Sequence, residues 1–221
     1  MSQKASKPLQ RRRRSDGAQS HQAILEEAAR LATVEGIEGL SLARLADAVG
    51  MSKSGLFAHF KSKEELQLAT IEAASEVFAE QVTEPASQAA NALERLRSLV
   101  ERYLAYLEVF PGGCFFASTL AEMDTQPGPV RDRLVAFLGD WLGQIETAVR
   151  DAQTEREIDP EEDAAQLTFE IEAALLLANA QFVVMRTREP IERARRAINR
   201  RLDSAAPRTR SPSNRARPPR R

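Results

Sequence analysis

The sequence contains one cysteine, Cys114, and two histidines, His21 and His59, in 221 residues. A single cysteine excludes an intrachain disulfide and a thiolate-built metal centre, and it fits a reducing, cytoplasmic setting. Both histidines fall in the N-terminal third, with no Cys–His pair, metal triad or phosphate-cradling glycine loop. No catalytic residue, metal site or cofactor is therefore expected. Alternating Val/Ile/Thr runs of the kind that make strands are also missing. The longest apolar run, Ala173 to Met185, falls short of the roughly 20 residues that span a bilayer. It reads as a buried or interface helix rather than a membrane anchor. The first residues are charged but lead into no apolar stretch, so they do not read as a secretory signal.

What charge there is lies unevenly. Residues 1–65 carry 11 Lys/Arg against 8 Asp/Glu, and residues 204–221 carry six Arg and no acid. The stretch between them, residues 66–203, has 14 basic against 24 acidic side chains. Basic ends around an acidic middle fit a chain that meets a polyanion at one end and does something else in its centre, or one with two solubilising tails.

Helical spacing fills the gap left by strands, so an all-α fold is expected. Ile24, Ala28 and Leu31 share one face, and Gly36 is a natural stop. Leu42, Leu45, Ala46 and Val49 repeat the pattern behind Ser41, an N-cap candidate. Leu56 and Phe60 follow Ser52 as a short third helix. Ser62 opens a fourth, about Lys63 to Gln81, with Glu65 completing a capping box. Longer stripes follow: Ala89 to Leu107, ended by Pro111-Gly112-Gly113, and Val130 to Ala148. Asp159-Pro160 reads as an N-cap and first-turn proline. The segment to Met185 is then apolar on nearly all sides, and Ile191, Ala194, Ile198 and Leu202 make a last amphipathic helix. After Asp203 only Ser, Pro, Arg, Ala, Thr and Asn remain, a composition expected to be disordered.

The second and third helices are short and joined by Gly50-Met51-Ser52. This is helix-turn-helix spacing, in which the second helix can enter a major groove. Leu42, Leu45, Val49, Leu56 and Phe60 would bury the inner faces, leaving Lys53, Ser54, Gly55, Phe57 and His59 variously outward. A three-helix unit without DNA has the same spacing.

The string GMSKSGLFAHFKSKEEL, Gly50 to Leu66, closely resembles the TetR-family signature, roughly Gly-Val-Ser-Lys-Gly-Thr-Leu-Tyr-x-His-Phe-x-Ser-Lys-Glu-x-Leu. ILEEAARLATVEGIEGLSLARLADAVG, Ile24 to Gly50, matches the family's first two helices in order and spacing. The resemblance is specific over about residues 20–70. It implies a helix-turn-helix DNA-binding domain over 20–66 and a helical effector-binding and dimerisation domain over 67–203. A disordered basic arm (1–19) and a disordered Arg/Pro/Ser tail (204–221) would flank them.

The resemblance further implies that Ser41 touches phosphate and that Arg44 meets phosphate or a base edge. Ser52, Lys53 and Ser54 would stand nearest the groove floor, and His59 and Lys63 would clasp phosphate. Two positions depart from the family pattern. Phe57 lacks the usual tyrosine hydroxyl. Gly55 lacks a side chain to read a base, and it weakens the helix by about 1 kcal/mol relative to Ala. Arg11 to Arg14 would be either a solvated tail or an arm neutralising phosphates or entering the minor groove.

The implied partners are a double-stranded operator, a second copy joined through the last two helices (about 160–186 and 189–203), and an unknown small-molecule effector. A helix apolar all round needs cover on both sides, which a four-helix bundle between two copies would supply. Tyr103, Tyr106, Phe115, Phe116, Met123, Phe137 and Trp141 are pocket candidates or plain core. Glu170, Glu172, Asn179 and Gln181 are polar candidates within the apolar helix. Cys114, without a resolving partner, is expected to be inert packing. The function implied is a repressor released by its effector. The alternatives are an activator, or a DNA-binding regulator without a ligand that answers to a protein partner.

Overall fold

A computed structural model describes residues 8–207, with side chains from residue 21 onward. Among the described residues every regular element is helical, as the spacing predicts. We number them α1 (Pro8–Glu35), α2 (Leu42–Val49), α3 (Lys53–Phe57), α4 (Lys63–Phe78), α5 (Ala92–Tyr106), α6 (Phe115–Met123), α7 (Pro129–Thr154), α8 (Ala164–Met185) and α9 (Glu189–Ser204). The backbone of α1 starts at Pro8, so it takes in most of the segment read as a disordered arm. The arginine side chains at 11–14, the residues before 8 and the tail after 207 lie outside the described residues.

Two hydrophobic clusters divide the molecule. The smaller gathers Ile24, Leu25, Ala28 and Leu31 of α1 with Leu42, Leu45, Leu56 and Phe60, and closes on Leu66 and Ala73 of α4. The larger takes α5 to α9, together with Ala29 and Ala32 of α1 and Ile71, Ala74 and Phe78 of α4. Neighbouring residues on α1 and α4 thus face different cores. That is the reach of a helix buried on two sides, and it welds the two units together.

Serines start the short helices. Ser41, Ser52 and Ser62 each accept a hydrogen bond from the amide three residues on, at 3.2, 3.1 and 3.0 Å. Each cap of this kind stabilises its helix by about 1 kcal/mol. The expected capping box is displaced by one residue, since the Glu65 carboxylate accepts from the Lys61 amide at 2.8 Å. Gly50 ends α2 in the left-handed region at φ 66°, where a side chain is strained.

After Phe78, α4 widens into a π turn, Ala79–Thr83, and closes with Glu84–Ala86. Pro85 accounts for the widening: its ring crowds the carbonyl of a regular preceding turn, and it has no N–H to donate.

Two boundaries differ from expectation. Asp163, not Asp159, caps α8, accepting from Ala165 and Gln166 at 3.0 and 3.1 Å. At the other end Ala205 is buried and its carbonyl accepts from the Asp159 amide at 2.8 Å, so the fold reaches past Asp203.

By length and composition α8 could cross a membrane, with 22 residues and an 18-residue stretch of mean hydropathy 1.5. It is longer than the apolar run on which the sequence expectation rested. It packs against α5, α7 and α9, yet Phe169, Leu176, Leu177, Val184 and Met185 remain exposed.

Candidate functional site

The starts of α2, α3 and α4 carry the expected nucleic-acid face. Leu56 and Phe60 anchor α3 in the smaller core, so its other side is outward. Ser52, Lys53 and Ser54 are exposed at its start, and Phe57 is 53% exposed despite being aromatic. Phe57 therefore does not belong to the core. An apolar ring there can meet a thymine methyl or a sugar. Gly55 is half-buried and its amide donates to Ser52, whose hydroxyl lies 3.2 Å from that of Ser54. A Cβ on Gly55 would stand 3.1 Å from the Ser52 Oγ, so the glycine keeps the cap uncrowded.

The cations behave unequally. Arg44 is clasped by Glu35, with Nε to the two carboxylate oxygens at 3.0 and 2.9 Å. Lys63 donates to the Glu38 carbonyl at 2.6 Å and to its carboxylate at 3.2 Å. Hydrogen bonds from Gln67 and then Lys63 hold the Glu38 carboxyl below its ordinary range. Two of the four expected phosphate contacts, Arg44 and Lys63, are therefore engaged within the protein, where they brace the link between α1 and α2. Lys53 and Lys61 are exposed and form no ion pair among the described residues. Lys61 was not singled out from the sequence; it stands two residues before Lys63 and directly before the Ser62 cap. His59 is half-buried, 5.7 Å from His21, which stacks on Phe60 at 5.1 Å. The chain's two histidines thus meet beside the recognition unit.

In the second domain Phe78 of α4 sits edge-on to Tyr103, Tyr106, Phe116, Phe137 and Trp141, at centroid distances between 5.1 and 6.2 Å. Five of the expected pocket residues therefore meet around one ring that the sequence reading passed over. Phe115 and Met123 are buried in the same core. Glu170 does not join them. It lies on the other side of α8, hydrogen-bonded to Gln166 and paired with Arg201 of α9. Glu172 takes that place instead: it is buried and accepts from the Trp141 indole at 2.8 Å. Burial pushes its carboxyl up, opposed by that hydrogen bond.

Asn179 is also buried, but it serves the backbone, accepting from the Cys114 amide at 2.8 Å and so capping α6. Gln181 lies at an apolar hollow between α8 and α9. Cys114 is buried and desolvation pushes its thiol up, which keeps it protonated and unreactive.

A groove of about 640 Å³ runs along α7, lined by Thr83, Ala86, Leu99, Gly139, Asp140 and Gln144 among others. A smaller recess of about 160 Å³ shares Thr83, Asp140 and Gln144 and ends on Phe78, Phe137 and Trp141. The aromatic centre is therefore reached from outside between α4 and α7.

An exposed, serine-capped recognition helix fused to a larger helical domain defines a helix-turn-helix DNA-binding regulator. Comparison with known proteins gives the family. Residues 24–70 match "Bacterial regulatory proteins, tetR family", and residues 92–198 match "Tetracyclin repressor-like, C-terminal domain". The nucleoid occlusion factor SlmA of Vibrio vulnificus (strain YJ016) is 30% identical over 153 residues, 66% of this chain and 76% of that protein. A TetR transcriptional regulator from Chloroflexus aurantiacus J-10-FL superimposes with a TM-score of 0.79 at 27% identity, over 86% of this chain and 96% of its own. AibR, solved with isovaleryl coenzyme A and operator DNA, gives a TM-score of 0.66 at 26% identity, covering 85% and 98% of the two chains. The chain belongs to the TetR family of DNA-binding transcriptional regulators.

Proposed function

We propose that the protein is a repressor that binds a near-palindromic operator as a homodimer and is released by a small-molecule effector. The observation that carries the DNA reading is the outward face of α3, with Ser52, Lys53, Ser54 and Phe57 exposed above a packed Leu56 and Phe60. The apolar face left open on α8 supports a second copy as its cover. The hollows between α8 and α9, lined by Ala174, Ala178, Ala194 and Ala197, have room for side chains of that copy. A two-fold dimer of this kind presents two α3 helices to successive major grooves, roughly 34 Å apart. Arg44 and Lys63 would join the interface only by exchanging their glutamate partners for phosphates. The route from solvent to the aromatic centre supports effector binding, and AibR is a neighbour that holds both an acyl-CoA and DNA. The protein would work in the cytoplasm, where DNA and metabolites meet.

Selection of duplexes from a randomised pool tests this reading. Enrichment of an inverted repeat with half-sites one helical turn apart is expected. Enrichment of a single unrepeated element, or no enrichment, would remove the operator from the account. The relatives named as nucleoid occlusion factors favour a second reading, a DNA-bound factor that answers to a protein rather than to a metabolite. Recovery of the same duplex without release by any compound in a thermal-shift-guided screen would support it.

A further inference from the structure

The chain has two histidines, and the fold brings them together. His21 stands on α1 and His59 just after α3, with ring centroids 5.7 Å apart and planes 31° from parallel. Phe60 holds the pair in place. It is 1% exposed, and His21 stacks on it at 5.1 Å. His59 is its neighbour in the chain, 6.2 Å away ring to ring. The His59 backbone is fixed as well, its amide donating to the Leu56 carbonyl at 2.9 Å. Both side chains are half-buried.

The fold does not use their nitrogens. The hydrogen bonds on either side, Gln22 to Glu26 and the Lys61 amide to Glu65, bypass both rings. Among the described residues neither imidazole is hydrogen-bonded to a carboxylate or to a backbone group. Packing on Phe60 engages the ring faces and leaves over the nitrogens at the ring edges. Neutral imidazole is the commonest metal ligand among side chains. Two imidazole nitrogens, each about 2.1 Å from one ion, set their ring centroids roughly 4.5–5.5 Å apart. The observed 5.7 Å lies within a few tenths of an ångström of that span. A small rotation of two half-buried side chains closes the difference.

We propose that His21 and His59 together hold one divalent transition-metal ion, of the class Zn2+, Ni2+ or Cu2+, with water completing its shell. Imidazole nitrogen suits these ions, whereas Mg2+ and Ca2+ take oxygen ligands. Two protein ligands make an open, exchangeable site, unlike the closed four-ligand sites that build folds. The ion ties α1 to the turn between α3 and α4, and it stabilises the recognition unit by mass action. The pair is hidden in the sequence because one histidine lies on α1 and the other beyond α3. The site lies outside the second domain and stands whether or not that domain takes an effector.

Untagged full-length protein, stripped of metal with a chelator, tests the site. Calorimetry is expected to show one Zn2+ bound per protomer and no binding of Mg2+. His21→Ala and His59→Ala should each weaken Zn2+ by at least about tenfold, since even the loss of a group that only orients a ligand costs that much. Saturating Zn2+ should raise the thermal midpoint of the native protein by at least about 3 °C and leave that of both variants unmoved. Electron paramagnetic resonance of the Cu2+ form counts nitrogen ligands without any substitution, and two imidazole nitrogens are expected. That count reports even if a variant disturbs the packing on Phe60. A single nitrogen, Zn2+ affinity indifferent to either substitution, or Mg2+ binding as well as Zn2+ would overturn the proposal.

Discussion

Glu122 of α6 accepts a hydrogen bond from the amide of Ile37, at 2.8 Å, across 85 residues of sequence. Its second oxygen accepts from the Glu38 amide at 2.7 Å. Gly36, at φ 82°, lies against the same carboxylate, so a Cβ there would come within 2.7 Å of it. A few residues away, Gly112 packs flush on the backbone of Thr33 and donates to its hydroxyl at 3.3 Å. The recognition unit is therefore held to the second domain by α6 as well as by α4. Glu38, gripped from that side, in turn holds Lys63 and Gln67. Glutamine has only one acceptor oxygen to offer these two amides. Glu122→Gln is expected to lower stability by about 1 kcal/mol, seen as a fall of a few degrees in the thermal midpoint. An unchanged midpoint would mean that the contact does not hold the domains together.

Salt dependence separates the lysines. Lys61→Ala should reduce the slope of log affinity against log salt by about 0.9, the loss of one phosphate contact, whereas Lys53→Ala, at the groove floor, should weaken the selected duplex more than random DNA. Lys63→Ala should change the slope less, because its ammonium already serves Glu38. Fluorescence anisotropy on the selected duplex across a salt series makes the comparison. A full unit lost for Lys63 and none for Lys61 would reverse the assignment.

Gly139 sits within α7 with open space around its Cβ position. Gly139→Ala should stabilise the protein by about 1 kcal/mol through helix propensity, or roughly 2–4 °C in thermal midpoint for a chain of this size. Destabilisation would show that the position is crowded.

Glu172 gives the protein a pH dependence of a definite sign. Its folded-state pKa is raised above the ordinary 4.5 by burial, so the stability it allows is complete below that value. Stability is then lost as pH rises through the raised folded-state pKa, since the folded state must ionise a desolvated group. Glu38 and Glu72 act in the opposite sense. Their carboxyls are lowered, Glu38 by Gln67 and then Lys63 and Glu72 by Arg133, so their contribution fades as pH falls. Both are largely exposed and their effect is small. Thermal unfolding of Glu172→Gln should show a flatter midpoint above pH 4.5 than the native protein. Parallel curves would remove Glu172 from the titration.

The recognition unit was legible because short-range rules build it. Apolar spacing, three capping serines and a glycine turn act within a few residues of one another. The expected Asp159 cap failed because Asp163 competes for the same helix start, and both have the right chemistry. The choice between Glu170 and Glu172 could not be read from α8. Residues two apart point about 200° away from each other on a helix, so one faces the core. A helix apolar on all sides has no polar face to say which. The engagement of Arg44 and Lys63 was hidden for a related reason. Their partners, Glu35 and Glu38, approach across a turn, and no local pattern marks the pair. α6 was not drawn as a separate helix because its N-terminal acceptor comes from Asn179, far along the chain.

The proposed repressor requires two copies of α3 held together through α8 and α9. Sedimentation of the protein on its selected duplex tests that most directly, with Leu177→Arg as the comparison. Leu177 is exposed at the centre of the apolar face. The native protein is expected to load two protomers per duplex. The variant is expected to sediment as a monomer and to bind at least about tenfold more weakly, having lost the linkage between half-sites. A native complex with one protomer per duplex, or a Leu177→Arg protein that stays dimeric and binds normally, would contradict it.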